Sequence, residues 1–269
     1  MSIVALTAVC GSPGVSTTVV GLGLCWPRPV VLVEADPTGG SSILAGYFQG
    51  QVAHEGGLIE LAMALREDLV AAELPHQLLD LPDSQARLLP GSRSHAQAGS
   101  LTALWPALLE SLRDLDETGQ DVIVDAGRLG LEGSPTPLLY GADVTLLLTR
   151  STLPAVIAAT SWAETLRDHT EATTTRVGVV VVGEGHPYSA REVSDALGLP
   201  LVGTLPWDRR SAAVLSRARG SFPRRAPLRS GLAALGEAIR AHASSGVGRP
   251  ASPLAWLARS VPQTTGGAR

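Results

Sequence analysis

The chain has 269 residues, 45% hydrophobic and 17% charged, enough apolar material for one large domain with a full core. Its formal net charge of −4 excludes a surface that is basic as a whole. No apolar run approaches the roughly 18 residues of a membrane span, and the first apolar run lacks the basic flank of a secretory leader. Along the chain, strand-like runs alternate with helical patterns. Ile3–Val9 reads as a buried strand and Thr17–Leu24 as the helix after it. Val30–Val33 is a second strand, Leu58–Arg66 a helix, and Arg87–Leu89 a short strand ending at Pro90-Gly91. Leu101–Leu115 is a helix, followed by the strand Val122–Val124 between Asp121 and Asp125. Val144–Leu148 is a strand, Leu153–Arg167 a helix, and Val177–Val182 the longest β-branched run. Ala190–Leu197, Leu201–Thr204 and Leu228–His242 complete the series as helix, strand and helix.

Strands that are apolar throughout, each followed by a helix, predict an α/β fold with a mostly parallel β-sheet and helices on both faces. Residues 1–243 form this domain. Residues 244–269 turn to Gly, Ser, Pro and Thr and read as a flexible tail. Within the tail, Pro253–Val261 has the spacing of a short amphipathic helix. It reads either as a membrane or partner anchor or as a frayed end. Cys10 and Cys25 read as two buried thiols of a reducing cytoplasm. Residues 209–229 hold Arg209, Arg210, Arg217, Arg219, Arg224, Arg225 and Arg229 and no acid, which makes a local positive face.

The segment with the most chemistry is Gly11-Ser12-Pro13-Gly14-Val15-Ser16-Thr17-Thr18, directly after the first strand. A P-loop reads G-x-x-x-x-G-K-[ST]. With Gly11 as its first glycine, Ser16 stands at the second glycine, Thr17 at the lysine and Thr18 at the hydroxyl that holds Mg²⁺. Lys and Arg together number 21, and all are arginine, so no lysine of this chain can reach the phosphates. Backbone N–H groups converging at a helix N-terminus bind phosphate without one. What is lost is one charge-assisted contact of about 1.5–3 kcal/mol, roughly ten- to a hundredfold in affinity. The same segment also reads as a tight turn with Ser16 or Thr17 capping the helix.

Two acidic strand ends accompany the loop. Val33-Glu34-Ala35-Asp36-Pro37-Thr38-Gly39-Gly40 puts Asp36 at the crevice where α/β sheets bind ligands. It reads as a group that orients a water or holds a Mg²⁺-bound water, or as a turn aspartate. Asp121-Val122-Ile123-Val124-Asp125-Ala126-Gly127-Arg128 has the form of a Walker B strand, whose carboxylate, here Asp125, approaches Mg²⁺.

These motifs, in this order, resemble the MinD/ParA family of deviant Walker P-loop ATPases. The family loop KGGVGKTT matches at Gly14, Val15 and Thr18, while its signature lysine falls on Ser12 and its Walker lysine on Thr17. The pattern D-x-D-P-x-G matches Glu34 to Gly39 and puts Asp36 on the water-orienting aspartate. Asp125 matches the Walker B aspartate. Tyr188 to Val193 and Leu197 to Asp208 resemble the closing helix–strand unit, whose Pro-x-Asp, here Pro206 and Asp208, lies near the base. Gly183-Glu184 stand where the family often has an asparagine that reads adenine.

The resemblance covers about residues 1–243. It implies a homodimeric switch that binds ATP and Mg²⁺ and positions a plasmid or chromosome, a division site or a pilus through a protein partner. Gly11 to Thr18, Pro206 and Asp208 would then bind the nucleotide, Thr18, Asp36 and Asp125 the metal, and Asp36 would be catalytic. The absence of both lysines implies weak or absent hydrolysis. The alternative is a scaffold that needs no nucleotide, of the TadZ/CpaE pilus-assembly type. Arg128 or Arg150 stands by position to replace the missing lysine, or else forms a surface ion pair. The Arg209–Arg229 stretch implies non-specific DNA contact, or else a solvated face or contact with an acidic partner. The expected location is the cytoplasm, with recruitment to membrane, pole or nucleoid.

Overall fold

The computed structural model describes residues 2–82, 84–171, 173–217 and 222–244. Eight strands form a single sheet: β1 (Ile3–Ala8), β2 (Val30–Glu34), β3 (Leu79–Asp80), β4 (Ala86–Leu89), β5 (Asp121–Arg128), β6 (Val144–Arg150), β7 (Arg176–Val182) and β8 (Leu201–Leu205). Their order is β3-β4-β2-β5-β1-β6-β7-β8. All neighbours are parallel except β3, which pairs antiparallel with β4. The central strand β1 is buried along its whole length, as expected for a strand covered on both faces.

The helices are α1 (Val15–Cys25), α2 (Ser42–Gly46), α3 (Leu58–Ala64), α4 (Val70–Glu73), α5 (Leu104–Asp114), α6 (Thr136–Gly141), α7 (Leu153–Glu171), α8 (Ala190–Leu197), α9 (Arg209–Arg217) and α10 (Pro227–Ser244). The pleat of the strands divides the core in two. Ile3, Ala5, Val31, Val33, Val122 and Val124 face one cluster, with apolar side chains from α3 to α8. Val4, Leu6, Leu32 and Ile123 face the other, with α1, α2, α9 and α10.

Several boundaries differ from those expected. The Walker B strand does not stop at Asp125 but continues to Arg128, so Asp125 lies inside the sheet. Arg209–Arg217, expected only as a charged stretch, is a helix that buries Ser211, Val214 and Leu215. α10 runs through Ser244. Arg219 and residues 245–269, including the short amphipathic segment, lie outside the described residues. No helix among the described residues is long and apolar enough to cross a membrane.

At the end of the sheet away from the loop, Asp121 ties three segments together. Its buried carboxylate accepts from Trp26 Nε1 at 2.8 Å, from Arg28 Nη2 at 2.6 Å and from the Ser2 amide at 2.9 Å. Asp121→Ala leaves the Trp26 indole N–H unpaired where water does not reach. It is expected to cost about 2–4 kcal/mol of unfolding free energy, read from the midpoint of a denaturant titration. Nucleotide affinity is expected to stay unchanged, because the length of β5 separates Asp121 from the loop.

Candidate functional site

The chain leaves β1 through Gly11, Ser12 and Gly14, at φ values of 72°, 45° and 93°. Three left-handed residues within four positions wrap the backbone into a tight loop, which only glycine adopts freely. Ser12 holds that conformation without the benefit of a missing Cβ, at a cost of about 1 kcal/mol. Gly14 is the N-cap of α1. Ser16 and Thr17 therefore lie inside the first turn, and the reading of either as the helix cap is overturned. A glycine cap has no side chain to occupy the first-turn amides, so the positive end of α1 stays open.

On the acidic side, β2 delivers Glu34 and then Asp36. Glu34 is buried and accepts from Ser41 Oγ at 2.5 Å and from the amides of Ile43 at 3.3 Å and Gly91 at 3.2 Å. One carboxylate thus fixes the start of α2 and the turn after β4 against the end of β2. Asp36 accepts both the amide and the hydroxyl of Thr38 on Oδ1, at 2.9 and 2.8 Å, which holds its carboxylate in one orientation.

Asp36 packs against Gly127. A Cβ at position 127 would lie 2.4 Å from the Asp36 Cγ, and the residue sits at φ 62°. Glycine is required there on both counts. It also takes up a bulge: Leu6 pairs with Asp125 but Ala8 with Arg128, so β5 carries an extra residue at this point. The Thr7 hydroxyl donates to the Gly127 carbonyl at 3.1 Å and secures the kink.

Asp125 lies beneath this surface, fully buried. Its Oδ1 accepts the Gly127 amide at 3.0 Å, and its Oδ2 has no hydrogen-bond partner. Burial pushes its carboxyl up to about 7, and the nearby Asp36 and Glu34 charges add to the rise. The Ser16 hydroxyl and the Gly127 amide pull the other way without satisfying Oδ2. An orphaned buried oxygen among three carboxylates suits a divalent cation. Among the described residues no group of three His, Cys, Asp or Glu is arranged to hold a metal by itself. The donor set therefore fits Mg²⁺ that keeps its waters and arrives with phosphate, rather than a protein-built cage. Thr18, the hydroxyl expected to meet it, is buried in the first turn of α1.

Most of the residues singled out in the sequence gather along two adjoining clefts. Gly11 to Thr17, Asp36, Gly127 and Arg128 line one of about 400 Å³. Ser12 to Gly14, Thr17, Thr18, Pro206, Trp207 and Asp208 line the next, of about 530 Å³. Both volumes are in the range of small-molecule sites. Asp208 is also the cap of α9: its Oδ1 accepts the Ser211 amide at 3.0 Å, and bonding to Ser211 holds its carboxyl below the usual range.

The arginines are dispersed. Arg150 lies 4.0 Å above the Trp207 ring, and its Cδ lies close to Gly11. Arg128 opens into the first cleft. Arg209 and Arg217 border the second. Arg229 lies over the Phe222 ring at 5.1 Å and donates to the Phe222 carbonyl. Among the described arginines of the 209–229 stretch, two thus border the second cleft and one packs on an aromatic ring. Sequence reasoning missed three positions here: the anchoring role of Glu34, the glycine requirement at 127 and the Trp207 stack. The first carried a signal, being the leading acid of the D-x-D pattern.

No protein-family model matches the chain, and no curated protein matches it. Solved structures do. The septum site-determining protein MinD from Pyrococcus horikoshii OT3, complexed with Mg-ADP, superposes with a TM-score of 0.70 at 16% identity, over 90% of this chain and 97% of that one. A ParA family ATPase from Chlorobium tepidum TLS gives 0.68 at 13% identity, over 88% and 97%. Cyanothece McdA in an ATP complex gives 0.64 at 18%, over 89% and 96%. At these identities the likeness concerns architecture, and the conclusion is one of architecture: the chain has the α/β P-loop NTPase fold of the MinD/ParA ATPases.

Proposed function

We propose that the protein is a nucleotide-binding dimerisation switch of the MinD/ParA kind. In this reading it positions cellular machinery, binds ATP with Mg²⁺, and hydrolyses it feebly or not at all. One observation carries the reading: the open, glycine-capped start of α1 shares a cleft with Asp36 and Gly127, and the Gly127 amide donates to a buried Asp125 whose other oxygen has no partner. A tight structural turn has no need of a buried, unsatisfied carboxylate beside it. Solved neighbours with Mg-ADP and with ATP support the same direction.

In this reading the amides of Gly11 to Thr18 cradle the phosphates, and Pro206 and Asp208 lie along the base. Thr18, Asp36 and Asp125 hold Mg²⁺, directly or through its water. When bound, the ion supplies neutralising charge at the phosphate oxygens. Asp36, fixed through Oδ1 by Thr38, orients a water at its other oxygen. Ser12 and Thr17 bring no charge where the family loop has lysines, so charge that grows on the phosphoryl group is less compensated and turnover is slow. Leu153 and Ile157 are 53% and 65% exposed at the start of α7, beside the loop, and offer apolar surface to a second copy. Non-specific DNA contact through the exposed Arg209, Arg210, Arg224 and Arg225 belongs to the same reading.

Calorimetric titration with ATP and Mg²⁺ is the test. Saturable binding is expected, with any turnover abolished by Asp36→Ala. No heat at millimolar nucleotide would leave the scaffold that needs no nucleotide.

A further inference from the structure

We infer that Arg128 supplies, within the same subunit, the phosphate-binding charge that the loop lacks. The assignment rests on the nucleotide reading above and concerns the terminal phosphates of a bound nucleoside triphosphate.

Placement is the first argument. Arg128 ends β5 and pairs in register with Ala8, the residue from which the chain enters the loop. The next amide, Leu129, donates to the Ala8 carbonyl at 2.8 Å, so the backbone is fixed on both sides. The bulge at Gly127 turns the strand end just before it. Its side chain lines the same cleft as Ser12 and Thr17, the two positions that fall on lysines of the family loop. A charge carried on a strand end is held more rigidly than one on a mobile loop.

Availability is the second. The Arg128 side chain is exposed and has no hydrogen bond or ion pair among the described residues. Arg150, the other arginine suited by position, is already engaged: its guanidinium is stacked on Trp207, and its Cδ lies close to Gly11. Arg209 and Arg217 face the second cleft, beside Pro206 and Asp208.

Electrostatic need is the third. Asp36 lines the cleft with Glu34 and the buried Asp125 close behind it, and a polyanion entering there meets the Asp36 carboxylate as well as the amides of α1. A guanidinium at the mouth offsets that repulsion and grips phosphate oxygens with two parallel N–H donors.

The test uses the full chain, titrated with ATP in the presence of Mg²⁺ and, separately, with adenosine. Arg128→Ala is expected to weaken ATP binding about 10- to 100-fold while leaving adenosine affinity and melting temperature unchanged. Arg128→Lys is expected to recover part of the loss. Arg150→Ala is expected to lower the melting temperature and leave the phosphate-dependent share of affinity in place. Wild-type ATP affinity in a folded Arg128→Ala variant overturns the assignment, and so does a phosphate-specific loss confined to Arg150→Ala. A wild-type chain that binds no ATP overturns the nucleotide reading itself, a result distinct from either of those.

Discussion

Asp125→Asn is expected to stabilise the unliganded protein and, in the same molecule, to abolish Mg²⁺-dependent nucleotide binding. The cause is the environment of one carboxyl. Burial, then the charges of Asp36 and Glu34, raise its pKa from 3.8 to about 7. Between those two values the unfolded chain gives up a proton that the folded chain keeps. The folded state then binds more protons, so stability falls as pH rises through this window. The slope is about 1.4 kcal/mol per pH unit, which adds up to about 4 kcal/mol across the whole window and levels off above it. Asparagine has nearly the same shape and no proton to lose. Melting curves of the two proteins, recorded at steps of pH, should coincide near pH 3.8 and separate progressively up to about 7, with the variant higher by several degrees. ATP affinity of the wild-type protein, measured with Mg²⁺, should rise over the same window as the carboxylate ionises, and the variant should show no such rise. Parallel melting curves would mean that Asp125 is ionised in the folded protein at ordinary cost. A stabilising substitution that removes function is the expected pattern at a binding site held under electrostatic strain.

That strain was only half legible in the chain. The parallel sheet could be read because β2, β6 and β7 are continuous apolar runs, and such runs form strands wherever helices cover both faces. The loop and its two acids could be read because a Gly-rich turn and strand-end carboxylates have a fixed spacing in the chain. The short elements could not. α2 has five residues and β3 two, too few to display any period. α9 did carry a pattern, with Ser211, Val214 and Leu215 buried at helical spacing, but the arginines around them directed attention to charge. The rest of the site depends on contacts between distant segments. Glu34 looks like half of a motif until Gly91 and Ser41 are seen to donate to it. Arg150 and Arg128 are equivalent strand-end arginines in sequence, and only the approach of Trp207 from the far side of the fold separates them. Asp125 reads as a metal-binding acid, but its unpartnered oxygen and raised pKa come from packing that no local window contains.

Thr17→Lys, which restores the Walker lysine by position, is expected to tighten ATP binding, by an amount that depends on Arg128. Thr17 is half-buried in the first turn of α1 and lines both clefts, so a longer side chain has room to extend. Lysine is also the better helix former. A positive charge at a helix N-terminus costs about 0.3–1 kcal/mol when unpaired, so the unliganded variant should melt slightly lower than wild type and regain the difference with ATP. If Arg128 already grips the terminal phosphates, a lysine arriving from α1 competes for the same oxygens, and its gain in the wild-type background is small. With Arg128→Ala the same lysine stands alone, and the gain should reach about 10- to 100-fold. The four proteins form a double-mutant cycle, and the expected result is strong non-additivity. An equal gain in both backgrounds would place Arg128 away from the phosphates. No gain in either would mean that the loop amides do not face a triphosphate, whatever the fold around them.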